Sequence, residues 1–352
     1  MKRIVVACQG GALHAAFTVG VLRRILQASE ANPGYQLIGF SGTSAGALCA
    51  AACWYGLHQG GPAQAVDTLS RVWEDFAAQT PVEQIFNQWL VSSLRLQGKG
   101  VVPEVKFSPY APFFPLVIEQ MRYLGYRREF VDYTTLLEKH IDFVQARQFV
   151  AEPRLLVGAI NVLSGDCKAF DSKKGEISAE AIRASGSIPG LGARAVEIEG
   201  NLYWDGLYSQ NPPIRNFLTD PESAAEKPDE IWLIQLNPKS RPAEPKAVED
   251  IQDRDNELAA NLSLEQEKKF IEKVNEWVAA GYLPKNDYKT ITVQTITLSP
   301  ALSQELDFAS KLDRSQAFIN RLMADGQMQA QAFLDKWLVE NSPHPQQRPV
   351  LP

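Results

Sequence analysis

Several things are scarce in this chain, and each shortage removes a class of function. Its 352 residues include only four cysteines, Cys8, Cys49, Cys53 and Cys167, too few and too scattered for a disulfide scaffold. A reducing cytoplasm is therefore the expected compartment. Cys49 and Cys53 lie four apart on one helix face, as half a metal site would, but no second Cys/His pair at ligand spacing accompanies them. They are read as small core residues. Positive charge is not in excess: the formal net charge is −6, which gives no electrostatic reason to expect nucleic acid as a partner. No apolar run approaches the ~18 residues of a membrane-spanning helix. The amino terminus offers five apolar residues, Ile4 to Cys8, before Gln9, too few for a signal-peptide core and enough for a buried strand.

What remains is the composition of a soluble globular protein, 45% hydrophobic and 22% charged, long enough for one large domain or two ordinary ones. No internal repeat and no dividing linker is visible, so one domain over 1–341 is expected, followed by a proline-rich unstructured tail at 342–352. The first 57 residues repeat one theme: strand Ile4–Cys8, glycine-containing turn, helix, strand Leu37–Phe40, glycine-containing turn, helix. The first helix, from about Leu13 to Gln27, carries Phe17, Val21, Leu22 and Ile25 on one stripe. Such alternation argues for a mostly parallel sheet covered on both faces, a three-layer α/β/α sandwich.

Residues 62–78 continue as helix. From Pro81 to about residue 150 the pattern loosens, with glycine, proline and aromatics interspersed. This stretch reads as a helical or irregular layer, with Leu94–Leu116 as a cover over an apolar cleft. Strands return at Arg154–Leu163 and Lys168–Asp171, followed by a helix at Ser178–Ala184 and a hairpin turning around Gly200-Asn201. Ile231–Leu236 is another buried strand. Residues 239–253 read as an exposed loop, and Asn256–Ala280 as an amphipathic helix whose apolar face includes Leu258, Leu262, Ile271, Val274 and Val278. A strand at Ile291–Leu298 and two helices between Ser303 and Glu340 complete the region 254–341.

Within this frame Gly42-Thr43-Ser44-Ala45-Gly46 is the most informative stretch. It fits Gly-x-Ser-x-Gly, with a short buried strand before it and a helix of small residues after it. A serine at such a turn is pushed into a strained, exposed position, and only small neighbours leave room. The helix that follows points its free N–H groups and positive dipole end at charge developing beside the hydroxyl. Gln9-Gly10-Gly11-Ala12 ends the first strand beside that turn. Its glycines would let backbone N–H groups approach a substrate oxygen, or would simply make a close-packed βα turn. It lacks the Gly-x-Gly-x-x-Gly spacing of a dinucleotide site.

A serine hydroxyl needs a base. An α/β-hydrolase triad runs Ser, acid, His, and beyond residue 150 the one histidine is His344 in the tail, so a triad in that order is not expected. A carboxylate acting directly on the serine is the economical alternative. Asp205-Gly206 ends the hairpin strand where a side chain projects from the sheet edge, though Asp-Gly alone reads more readily as a turn. Aspartate, with an ordinary pKa of ~3.9, is a weak base and would need a dry, apolar site. Tyr203 and Trp204 beside it are consistent with one.

Taken together, Gln9–Phe17, Gly42–Gly46 and Asp205-Gly206, in this order, resemble the patatin-like phospholipase family. Ala184–Gly190 before the hairpin and Asn211-Pro212-Pro213 after it resemble the surroundings of that family's catalytic aspartate. The resemblance covers roughly 3–236. It implies a Ser-Asp dyad of Ser44 and Asp205, an oxyanion hole from the amides of Gly10, Gly11, Ala12 and Ala45, and no metal or organic cofactor. The implied activity is hydrolysis of lipid-like esters through an acyl-enzyme, with transient contact to membrane or lipid surfaces through aromatics of 86–116. The chain departs from the family's Gly-Gly-Gly-x-Arg-Gly loop at Ala12, His14 and Ala15, and Leu207 replaces a second glycine after Asp-Gly. A methyl at position 12 matters only if the backbone there needs positive φ. His14 reads as a weak substitute for the arginine or as a surface residue. Two rivals stand beside this reading: an acyltransferase using His140 as base, and an inactive lipid-binding homologue.

Overall fold

Eight strands form one sheet in the computed structural model, which describes residues 1–31, 34–102, 108–189, 192–241, 243–246 and 248–341; the tail expected at 342–352 lies outside them. The strands are β1 Lys2–Cys8, β2 Tyr35–Gly42, β3 Arg154–Asn161, β4 Cys167–Asp171, β5 Val196–Ile198, β6 Asn201–Asp205, β7 Glu230–Gln235 and β8 Thr292–Thr297. Their order is β5-β6-β3-β2-β1-β7-β8, with β4 also pairing with β3. The run from β3 to β8 is parallel, while β4, β5 and β6 join by antiparallel pairing. The mostly parallel sheet expected from strand-helix alternation is present.

Among the described residues, twelve α-helices connect and cover these strands: α1 Ala16–Ala31, α2 Ala45–Phe76, α3 Pro81–Gly98, α4 Phe114–Tyr123, α5 Arg128–Val131, α6 Tyr133–His140, α7 Phe143–Ala146, α8 Ala179–Ser185, α9 Asn216–Thr219, α10 Val248–Ala279, α11 Pro300–Glu305 and α12 Gln316–Asn341. Side chains alternate across β1. Ile4, Val6 and Cys8 pack against α1, α2 and α12, and Val5 and Ala7 pack against α9 and α10. A bulge in β2 at Ile38 breaks this alternation, sending Ile38 to the second face and Phe40 back to the first. The layers are thus helix, sheet, helix.

Three local expectations shift. The hairpin turns at Glu199-Gly200 rather than Gly200-Asn201, because a two-residue turn of this hand needs left-handed φ at both positions, here 50° and 77°. α2 runs from Ala45 to Phe76 as two helical pieces bent at Gly60-Gly61, with Pro62 opening the second. α10 starts at Val248, inside the stretch expected as exposed loop. Leu258 and Leu262, expected on its apolar face, are exposed. The buried side of that half carries Asp253, Glu257 and Asn261, because it packs on polar groups of neighbouring loops. The apolar half, with Ile271, Val274 and Val278, covers the sheet.

Candidate active site

The carboxyl ends of the parallel strands meet the Gly42–Gly46 turn. Between β2 and α2, Ser44 takes φ 57° and ψ −133°, a conformation that costs a side-chain-bearing residue about 1–3 kcal/mol. Several bonds hold it there. Its own N–H donates to Ser185 Oγ at 2.9 Å, and that hydroxyl donates onward to the Gly158 carbonyl at 2.6 Å. The Thr43 hydroxyl donates to the Gln210 carbonyl at 2.7 Å. Gly46 is required by space: a Cβ there would sit 2.3 Å from the Cys8 carbonyl oxygen. Gly10 is required by Ser44 itself, since a Cβ would lie 2.8 Å from Ser44 Cβ.

Asp205 arrives from the end of β6, whose pairing with β3 sets Asp205 opposite Ala159. Its backbone N–H donates to the Ser187 carbonyl at 3.0 Å. The carboxyl group is fully buried: Oδ1 accepts the Leu207 N–H at 2.8 Å, and Oδ2 has no hydrogen-bond partner among the described residues. Burial pushes its pKa up to about 7, opposed by the Leu207 N–H and by the Ser44 hydroxyl. The hydroxyl is therefore near enough to favour the ionised carboxylate, yet it completes no hydrogen bond of good geometry. The two residues expected to work together are brought together.

The expected oxyanion donors separate into two groups. Gly10 commits its N–H to Asn211 Oδ1 at 2.7 Å and so is not a free donor. The N–H groups of Gly11, Ala12 and Ala45 have no acceptor among the described residues, and Ala12 and Ala45 face the adjoining cavity. Ala12 does sit at positive φ, 49°, so its methyl carries strain that glycine would relieve. The loop is fixed from behind by Gln9, whose Oε1 accepts the N–H groups of Leu236 and Asn237, each at 2.9 Å.

The histidines stand elsewhere. His14 is buried rather than on the surface, with Nε2 2.8 Å from Ser310 Oγ, and burial and then Lys311 hold its pKa well below the ordinary value. His140 Nε2 pairs with Asp75 Oδ2 at 2.7 Å and does not line the cavity. Cys49 and Cys53 are free and buried, and burial raises the pKa of both thiols.

A cavity of 770 Å³ opens over Ser44, walled by Leu48, Phe86, Ile118 and Met121 among others. Its cover comes from α3 and α4, on either side of the 94–116 stretch in which it was expected; residues 103–107 of that stretch lie outside the described residues. The outer faces of the same two helices expose Ile85, Trp89, Leu116 and Tyr123. Sequence reasoning assigned no role to Ser185, Asn211 or Arg314, the last of which also lines the cavity. The first two lie in stretches already marked by the resemblance, whereas Arg314 belongs to no motif.

A family model described as patatin-like phospholipase matches residues 6–218. Among solved structures, the chain is similar to a chain in the crystal structure of full-length SpcU in complex with full-length ExoU from the type III secretion system of Pseudomonas aeruginosa. The identity is 12% and the TM-score 0.33. That likeness covers 94% of this chain and 52% of the other, so this chain spans about half its length. No curated protein matches.

Proposed function

Because the chain belongs to the patatin-like phospholipase family, we propose that it is a serine acyl hydrolase of lipid-like carboxylic esters, of phospholipase A, lysophospholipase or esterase type. Ser44 Oγ attacks the ester carbonyl carbon while its proton passes to Asp205. The tetrahedral oxyanion takes hydrogen bonds from the N–H groups of Ala12 and Ala45, with Gly11 beside them. Collapse breaks the carbonyl–alkoxy bond, and Asp205 returns the proton to the departing alcohol. Water then attacks the acyl-Ser44 ester, loses its proton to Asp205, and releases the fatty acid as Ser44 recovers its hydrogen.

The observation that carries this reading is the fully buried Asp205 beside a strained Ser44, its carboxyl lifted to about 7. A base of that pKa is matched to neutral pH, which an ordinary aspartate is not. The apolar cavity fits an acyl chain, and the exposed Ile85, Trp89, Leu116 and Tyr123 fit transient docking to a lipid surface. No helix among the described residues is long and apolar enough to cross a membrane. The acyltransferase rival loses its base, since His140 is held by Asp75 away from the cavity.

Labelling with a fluorophosphonate tests the reading. The wild-type protein should be marked and Ser44→Ala should not. A folded wild type that stays unlabelled and turns over no ester would favour the inactive lipid-binding homologue instead.

A further inference from the structure

The chain carries a net charge of −6, yet the cavity over Ser44 is lined by four basic side chains, Arg183, Arg194, Lys311 and Arg314, and by no aspartate or glutamate among the described lining residues. Lys311 is neutralised from behind, paired with Asp253 and within 3.9 Å of Glu257. The three arginines form no ion pair with any described residue. Arg183 reaches the Thr134 hydroxyl at 3.2 Å, and Arg194 donates to the Pro109 carbonyl at 2.9 Å with its guanidinium over the Tyr110 ring.

Arg314 is the most constrained of them. Its guanidinium carbon lies 3.7 Å from the Phe130 ring centroid and 4.5 Å from that of Phe76. Nε donates to the Phe76 carbonyl at 2.6 Å and Nη1 to the Phe130 carbonyl at 2.9 Å, while Nη2 is buried without a hydrogen-bond partner. Those two carbonyls lie in the last turns of α2 and α5, so capping helix ends explains two of the nitrogens and leaves the third unexplained. Among the described residues, Glu83 is the one carboxylate whose field favours the charged form, and it is already bound through both oxygens by Arg127. Burial lowers the Arg314 pKa only to about 9, so the group stays cationic at neutral pH. The guanidinium end is enclosed, but the residue keeps some accessible surface where it lines the cavity.

A cation fixed in an apolar cavity without a counterion penalises a neutral occupant and favours one that brings the missing charge. Resting on the acyl-hydrolase reading above, we propose that the preferred substrate is an acyl ester carrying a net negative charge, a phosphate or carboxylate, and that Arg314 is the residue selecting it, with Arg183 and Arg194 at the rim. Because the rings and carbonyls already fix the guanidinium, little further ordering is needed when the anion binds.

Binding separates this proposal from the hydrolase reading, because it needs no turnover. Ser44→Ala protein is titrated with lysophosphatidic acid, lysophosphatidylcholine and monoacylglycerol of one acyl chain, each below its micelle concentration. The anionic lipid should bind about tenfold or more tightly than the neutral one, in line with attraction between partly buried charges, and the advantage should shrink as salt is added. Arg314→Gln in the same background should cut that ratio by about tenfold, and Arg314→Lys should keep part of it. Where Arg314→Gln does not fold, the salt dependence and the Lys variant carry the test. Competition by inorganic phosphate separates a site for any small anion from one that reads the charge only within a lipid. Equal binding of anionic and neutral lipids, or a ratio untouched by Arg314→Lys and by salt, overturns the proposal whether or not Ser44 is labelled.

Discussion

The strand-end rim that carries Ser44 and the helical cover above it are built on different terms. At the rim nearly every requirement falls on the backbone. Ser44 needs φ 57°, Gly46 must leave room for the Cys8 carbonyl, and Gly10 must leave room for Ser44 itself. Such requirements admit few residue types, and the sequence therefore shows them as motifs. The cover makes no such demand. α3 and α4 supply Phe86, Ile118 and Met121 to the cavity, and many apolar side chains at helical spacing would serve there. Chemistry held by backbone geometry is written legibly; a cavity wall held by side-chain packing is not.

If the rim is the constrained region, changes there should have the largest effects. Asp205 at this rim is held in an environment that opposes its charge. Its folded pKa of about 7 lies above the unfolded value, so the carboxyl is favourable to folding below the unfolded pKa and becomes a burden as pH rises through about 7. Asp205→Asn should therefore gain stability over wild type by about 1.4 kcal/mol per pH unit between roughly 4 and 7, then level off. Denaturant melts of both proteins at pH 4, 6 and 8 read this directly. A constant difference across that range would mean the carboxyl is not held in a dry site.

Next in size is Ser185→Ala, which removes the acceptor for the Ser44 N–H and the link to Gly158. Losing this bond should loosen Ser44 and, on the proposed mechanism, lower kcat by about ten- to a hundredfold, with KM little changed. A rise in KM alone, with kcat intact, would place Ser185 in substrate binding rather than in shaping the turn. The cover should respond more weakly and on a different assay. Trp89→Ala, on the outer face of α3, should reduce liposome flotation by a few-fold and leave hydrolysis of a soluble short-chain ester within about twofold of wild type. A large loss on the soluble ester would erase the distinction between the two regions.

The same contrast explains what could be read from the sequence. Strand-helix alternation gave the layered sheet, and Gly-x-Ser-x-Gly with a strand-ending Asp-Gly pointed to the pair that the fold brings together. Roles that depend on a distant side chain escaped. Gly10 was expected as an oxyanion donor, but Asn211 Oδ1, 201 positions away, takes its N–H. His14, read as a weak substitute for the family's arginine or as a surface residue, is instead buried, its ring held at Ser310 by the short helical turn it occupies. Leu258 and Leu262 fit a helical stripe, yet the polar undersides of the site loops claim the other face of α10. Arg314 gives no local signal, because the rings around it come from helices far apart in sequence.

One measurement bears most directly on the claim that a carboxylate, with no imidazole, activates Ser44. The rate of fluorophosphonate labelling is followed from pH 5 to 9 in wild type, Asp205→Asn and His140→Ala. Wild type and His140→Ala should show the same rise with a midpoint near 7 and a plateau above it, since Asp205 must be ionised to accept the proton, and Asp205→Asn should label at least about a hundredfold more slowly at every pH. Labelling of Asp205→Asn at the wild-type rate, or loss of labelling in a folded His140→Ala, would contradict the account.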